Sequence, residues 1–174
     1  LLNHNISANK NKYKGLVPEN CELRCGSKFT LLRNEFYKIK KKRKKASKCK
    51  NVFIGLGGTD PLNLNSKIIK LLRTKKNFSL KIVTTNANPN LKELKRLVYV
   101  NKKSVSLYIN CNNIAELLNK SDLAIVTPSV IIHEVISLKI PLIAIKIAEN
   151  QNDIFHYLKR KRFQVINKNE INKL

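Results

Sequence analysis

From residue 51 onward, short runs of Val, Ile and Leu alternate with segments whose apolar residues recur every three or four positions. NVFIGL (51–56), SLKIVTT (79–85), VSLYIN (105–110), LAIVT (123–127), PLIAIKI (141–147) and FQVIN (163–167) carry the near-continuous apolar content of strands covered on both faces. PLNLNSKIIKLLRT (61–74), NPNLKELKRLVY (88–99), NNIAELLNK (112–120), SVIIHEVISL (129–138) and NDIFHYLKRKR (152–162) carry the helical period instead. Strands buried on both sides and separated by helices pair in parallel, with the helices packed on each face of the sheet. The pattern therefore predicts an α/β fold, a Rossmann-like parallel sheet over residues 51–174.

In such sheets ligands sit beyond the carboxyl ends of the strands, so the strand-to-helix loops are the places to look for chemistry. Three stand out. Gly55-Leu-Gly-Gly-Thr-Asp60 puts three of the chain's five glycines into four positions. Such a turn lets the backbone pass close to a bulky anion, and it serves equally as a tight structural turn. It is neither a Walker A loop nor a full G-x-G-x-x-G. In VTPSVIIHE (126–134), Thr127 and Ser129 stand at a helix start, where hydroxyls cap the helix or meet a phosphate. Glu134, about one and a half turns in, suits the two hydroxyls of a ribose or is an ordinary surface acid. His133 reads as a packing or surface residue. In AENQNDIF (148–155), Asn150 and Gln151 offer uncharged donors and acceptors suited to sugar hydroxyls, or form a plain polar loop ahead of a helix capped at Asn152.

The formal net charge of +24 adds the question of nucleic acid. The excess is spread along the chain as Lys beside Asn and Ile, and only KIKKKRKK (38–45) is a dense block, read here as a solvated linker. No RNA-binding aromatic pattern, zinc finger or helix-turn-helix accompanies it, and aromatics make up 6% of residues, so no specific nucleic-acid partner is expected. Cys21, Cys25, Cys49 and Cys111 are irregularly spaced and read as reduced thiols, with no metal site expected. No apolar run has membrane-spanning length and no signal peptide opens the chain, so a soluble cytoplasmic protein with no membrane partner is the expectation. The chain has no methionine at all and is expected to be a piece of something longer.

Between these loops, YKGLVPENCELRCGSKFTLLRNEFY (13–37), GGTD, NPNLKELKR, NIAELLNKSDLAI, SVIIHE and ENQ occur in that order. Together they resemble the C-terminal part of the PseG family, the UDP-2,4-diacetamido-2,4,6-trideoxy-β-L-altropyranose hydrolases of pseudaminic acid biosynthesis. The resemblance spans nearly the whole chain, and GLVP…RCG…LLRNEF is its most specific part. It implies the C-terminal nucleotide-binding domain of a GT-B fold, with a second domain facing it across a cleft. Residues 1–50 would then be the interdomain crossover, a linker and the start of this domain. The N-terminal domain would be missing.

What the resemblance implies residue by residue is a UDP-sugar site. Gly57, Gly58 and Thr59 match the turn facing the diphosphate and sugar; Thr127, Ser129 and Val130 match the pyrophosphate segment; Glu134 matches the ribose-binding acid. Ile109 and Asn110 fall where backbone groups meet uracil, and Asn150 and Gln151 match the pair near the sugar, with Asn150 given a catalytic part. In the family, water attacks the anomeric carbon and UDP leaves with inversion, without an essential metal or other cofactor. Two departures stand out. Nothing matches the family's N-terminal glycine-rich segment with its water-activating histidine, His4 lying in the crossover instead, and Pro128 replaces a small residue in the second loop. A monomer that binds nucleotide weakly and turns over little or nothing is the resulting expectation. A glycosyltransferase donor domain and a basic nucleic-acid-binding module are the alternatives.

Overall fold

The computed structural model describes residues 1–39, 49–73 and 78–174. The basic run at 38–45 lies outside these from residue 40 onward, and so does the linker reading attached to it. The N-terminal segment contributes a two-residue parallel pairing, β1 (Leu2–Asn3) with β2 (Arg24–Cys25), and a short helix α1 (Asn34–Lys38). All six predicted strands are present beyond it: β3 (Asn51–Gly55), β4 (Ser79–Thr84), β5 (Val105–Ile109), β6 (Leu123–Val126), β7 (Leu142–Lys146) and β8 (Gln164–Asn167). They form one parallel sheet in the order β5-β4-β3-β6-β7-β8. That is the doubly wound order of a dinucleotide-binding sheet, in which the direction of winding reverses between the first and fourth strands.

Period-two alternation along β3 explains why both faces are covered. Val52 and Ile54 join a cluster with Leu64, Ile68, Ile69 and Leu72 of α2 (Leu64–Leu72) and Leu94 of α3 (Leu91–Val100). Phe53, between them, joins the opposite cluster with Leu117 and Leu118 of α4 (Ile114–Asn119), Ile132 and Val135 of α5 (Ile131–Ser137) and Leu158 of α6 (Asn152–Arg160). Ile6 and Phe36 from the N-terminal segment are buried in this second cluster. At the amino edge, the Asp122 carboxylate accepts the N–H groups of Lys50 and Asn51 at 3.0 and 2.7 Å, pinning β3 beside β6.

The helix after β3 starts later than its apolar period predicts. Asp60, 1% exposed and at φ 38°, turns its carboxylate back to accept the amides of Leu64 and Asn65 at 2.8 and 2.9 Å. Those are the first-turn N–H groups without an intrahelical partner, so the helix begins at Leu64, after Asn63 at φ 51°, rather than at Pro61. Burial pushes the Asp60 pKa above the ordinary carboxylate value despite the opposing bonds from Asn65 and Leu64. Asp60→Ala removes both acceptors and should destabilise the domain by about 1–2 kcal/mol in urea unfolding. An unchanged midpoint would show that the cap is idle.

Candidate functional site

At the carboxyl edge, where β3 and β6 lie side by side and the chain leaves them in opposite directions, a cleft of about 180 Å³ opens. Gly57 and Gly58 form one wall, Thr84 and Thr85 at the end of β4 lie behind them, and Thr127 and Ser129 form the other. The two glycines do different work. Gly57 sits at φ 89°, and a Cβ built on it would meet no atom within 4 Å, so its freedom is conformational and its outer side stays open. Gly58 is there for contact: a Cβ would lie 2.8 Å from Thr85 Cγ2 and 2.9 Å from Thr85 Oγ1. Its carbonyl accepts the Thr84 and Thr85 hydroxyls at 2.9 and 3.0 Å and the Thr85 N–H at 3.2 Å. Thr59 is exposed at the rim.

Across the cleft, the hydroxyls of Thr127 and Ser129 lie 3.1 Å apart and bond to each other. No side chain caps α5 among the described residues; the Ser129, Ile132 and His133 N–H groups donate instead to the backbone carbonyls of Thr127, Ser129 and Val130 at 2.8, 3.0 and 3.0 Å. Pro128 is buried, and Val130 is half exposed. The cleft lining carries no charged side chain among the described residues, only hydroxyls and backbone, in a chain of net charge +24. Neutral donors at a strand-to-helix turn inside a positive overall field suit an anionic group held by amide and hydroxyl hydrogens.

Glu134 does not line this cleft. It is 6% exposed, and its two carboxylate oxygens accept Arg33 Nε and Nη2 at 2.7 and 3.0 Å, a bidentate pair that raises the Arg33 pKa. Its neighbour His133 is buried, with Nδ1 3.3 Å from the Thr30 hydroxyl and its ring 5.5 Å from that of His4. Burial, followed by the adjacent His4, pushes the His133 pKa down. Ile109 ends β5 two strands away from β3, and Asn110 follows at φ 50°, its N–H bonded to the Thr84 carbonyl and its Oδ1 accepting Asn86 N–H.

Asn150 is exposed beside a second cleft of about 330 Å³, with Asn3, Asn5, Ser7, Lys12 and Asp153. Gln151 is turned inward, its Oε1 accepting the N–H groups of Ile147 and Ala148 at 2.9 and 3.4 Å, which closes the loop after β7. The structure thus gathers Gly57, Gly58, Thr127 and Ser129 in one cleft and sets Asn150, Glu134 and the β5 end apart from it. Arg33, Thr84 and Thr85 are the residues that motif reading passed over. Paired threonines at the carboxyl tip of a strand, and an arginine just before a helix in the LLRNEF run, were the available signals.

No family model matches the chain. It is 38% identical over 165 residues to the UDP-2,4-diacetamido-2,4,6-trideoxy-β-L-altropyranose hydrolase of Campylobacter jejuni subsp. jejuni serotype O:2, an alignment covering 95% of this chain and 58% of that protein. It is 35% identical over 142 residues to an uncharacterised protein of Methanocaldococcus jannaschii, covering 78% of this chain and 29% of that one. A spore coat polysaccharide biosynthesis protein of Bacillus subtilis is 23% identical over 138 residues, covering 78% and 40%. The chain spans less than two thirds of the length of each of these relatives. Among solved structures, MurG of Acinetobacter baumannii superposes with a TM-score of 0.56 at 16% identity, covering 76% of this chain and 43% of that one. The glycotransferase of kitacinnamycin gives 0.55 at 15%, covering 76% and 33%. At those identities they speak for the fold alone, a Rossmann-like sheet of the kind found in the C-terminal domain of GT-B proteins. No described helix is long and apolar enough to cross a membrane.

Two outcomes follow from this geometry. Gly58→Ala drives a methyl into Thr85 and should destabilise the domain by about 2 kcal/mol or more in chemical unfolding; Gly57→Ala meets only backbone strain, about 1 kcal/mol. Equal losses would contradict the contact described at Gly58. Because the folded His133 pKa lies below its unfolded value near 6.5, stability should hold above about pH 7 and fall as pH drops through about 6.5, levelling off below the folded pKa, with a slope of at most about 1.4 kcal/mol per pH unit. Unfolding midpoints measured for His133→Gln across that window should flatten; an identical slope would assign the effect elsewhere.

Proposed function

We infer, taking as premise the homology of this chain over 95% of its length to the UDP-2,4-diacetamido-2,4,6-trideoxy-β-L-altropyranose hydrolase family, that it is the UDP-holding part of a nucleotide-sugar hydrolase. The observation that carries this reading is the cleft at the reversal of the sheet, where Gly57 and Gly58 face Thr127 and Ser129. In it the diphosphate lies against the glycine turn, with the Thr127 and Ser129 hydroxyls and the Val130 amide on its other side. The backbone at Ile109 and Asn110 meets uracil, and Glu134 accepts from the ribose. The sugar then extends along the carboxyl edge toward β7, adjacent to β6, where Asn150 stands beside the second cleft and Gln151 holds the loop.

The reaction assigned to this arrangement is attack of water on the anomeric carbon of the UDP-linked 2,4-diacetamido sugar. The bond from that carbon to the β-phosphate oxygen breaks, UDP leaves with the electron pair, and the proton from water passes to a base on the facing N-terminal domain. This chain's share is electrostatic: amides and hydroxyls already aimed at the diphosphate hold it better as it gains charge. Asn150 positions the water or the sugar by hydrogen bonds, without titrating. Because the base belongs to the other domain, this chain binds the nucleotide but turns substrate over little.

Calorimetric titration of the chain with UDP and with ADP tests the assignment. UDP should bind at least tenfold more tightly than ADP. Equal affinities, or no heat at millimolar nucleotide, would overturn it.

A further inference from the structure

We propose that Arg33 is the positioning residue for ribose recognition: its fork fixes the Glu134 carboxylate so that the oxygens' remaining lone pairs take the two ribose hydroxyls. The inference rests on the nucleotide reading above and adds a residue to it. Glu134 sits on α5, one turn past the cleft, with its side chain only 7% exposed, and a long acidic side chain so nearly dry has its orientation set by its partner. That partner is bidentate, Nε and Nη2 each meeting one oxygen, which leaves one lone pair on each oxygen for a further donor.

Arg33 is itself held. Its Nη1 lies 3.1 Å from Glu35 Oε1, and its guanidinium lies 5.2 Å from the centre of the Phe36 ring, a side chain buried in the core. Glu35 in turn accepts the Ala115 N–H at 3.2 Å, at the start of α4. The three residues 33, 35 and 36 therefore lock the fork to two helices and to the core at once. Charge settles what this cluster receives. Two carboxylates and one guanidinium sum to −1, which repels a phosphate and attracts hydroxyl hydrogens. A vicinal diol fits, and a diphosphate does not.

The test is the ratio of affinities for UDP and 2′-deoxyuridine 5′-diphosphate, measured by calorimetry on the chain and on Glu134→Gln, Arg33→Gln and Arg33→Lys. A loss of general folding or of phosphate binding lowers both affinities and leaves the ratio alone. The unsubstituted chain should favour UDP about tenfold, and Glu134→Gln should bring the ratio near one. Arg33→Gln should do the same with deoxy-nucleotide affinity within about twofold of the original. Arg33→Lys keeps the charge but not the fork and should give an intermediate ratio. If Arg33→Gln does not fold, Arg33→Lys decides: an unchanged ratio overturns the proposal and a fall supports it. Collapse in Glu134→Gln with the original ratio kept in both Arg33 variants overturns the role of Arg33 while the nucleotide reading stands. The original ratio kept in Glu134→Gln removes ribose recognition at Glu134 and this inference with it, and failure of the unsubstituted chain to bind either nucleotide overturns the nucleotide reading itself.

Discussion

β3 and β6 are neighbours in the sheet although residues 56–122 separate them along the chain, and the chain leaves their carboxyl ends in opposite directions. That constraint is what the rest of the molecule is arranged around. Because α2 and α3 return on one face and α4, α5 and α6 on the other, no helix can close over the gap between the two strand ends. A crevice there is forced by topology, before any side chain is chosen. The local chemistry then decides what it holds: flexible, methyl-free backbone on the β3 side and short hydroxyl side chains on the β6 side, with Asp122 holding the two strands together at the far edge.

Most of this sheet was legible in the chain. Each of the six strands appears where a short run rich in Val, Ile and Leu stands; the central strands β3, β6 and β7 are the most buried, while β4 and β5 admit Lys81 and Ser106 and the edge strand β8 is only part-buried. The helices are also where their period places them, and α6 begins at Asn152 as its segment does, but α2, α3, α4 and α5 begin two or three residues later than theirs. At α2 the apolar period points to Pro61, and the start moves to Leu64 because a buried carboxylate four residues upstream takes the leading amides, a tertiary choice that periodicity does not carry. The strand order was likewise invisible locally, since it depends on which covered faces meet in space.

The site was legible in its loops and not in its pairings. Gly57, Gly58, Thr127 and Ser129 come together because they follow the carboxyl tips of β3 and β6, which the strand order makes adjacent. Glu134, which reads in the sequence as a ribose acceptor or an ordinary surface acid, has its side chain turned away from solvent. Only the arrival of Arg33 from a hundred residues upstream makes that burial tolerable, since a dry carboxylate without a partner is strongly destabilising. The Thr30–Arg33 stretch thereby packs against α5 through His133 and Glu134, while by sequence it precedes the sheet altogether. Thr84 and Thr85 escaped notice for a related reason: their role is to hold a carbonyl on another loop, and nothing in their own neighbourhood marks it.

The Gly58–Thr85 contact also constrains how this turn can change over generations. Any side chain at 58 needs a smaller neighbour at 85, yet trimming Thr85 removes one of the hydroxyls that anchor the Gly58 carbonyl. Each single step is therefore worse than the starting point, and only a simultaneous double exchange avoids the trough. The two positions should drift as a unit or stay still, so that lineages with a bulkier residue at 58 would be expected to have rebuilt the end of the neighbouring strand as well.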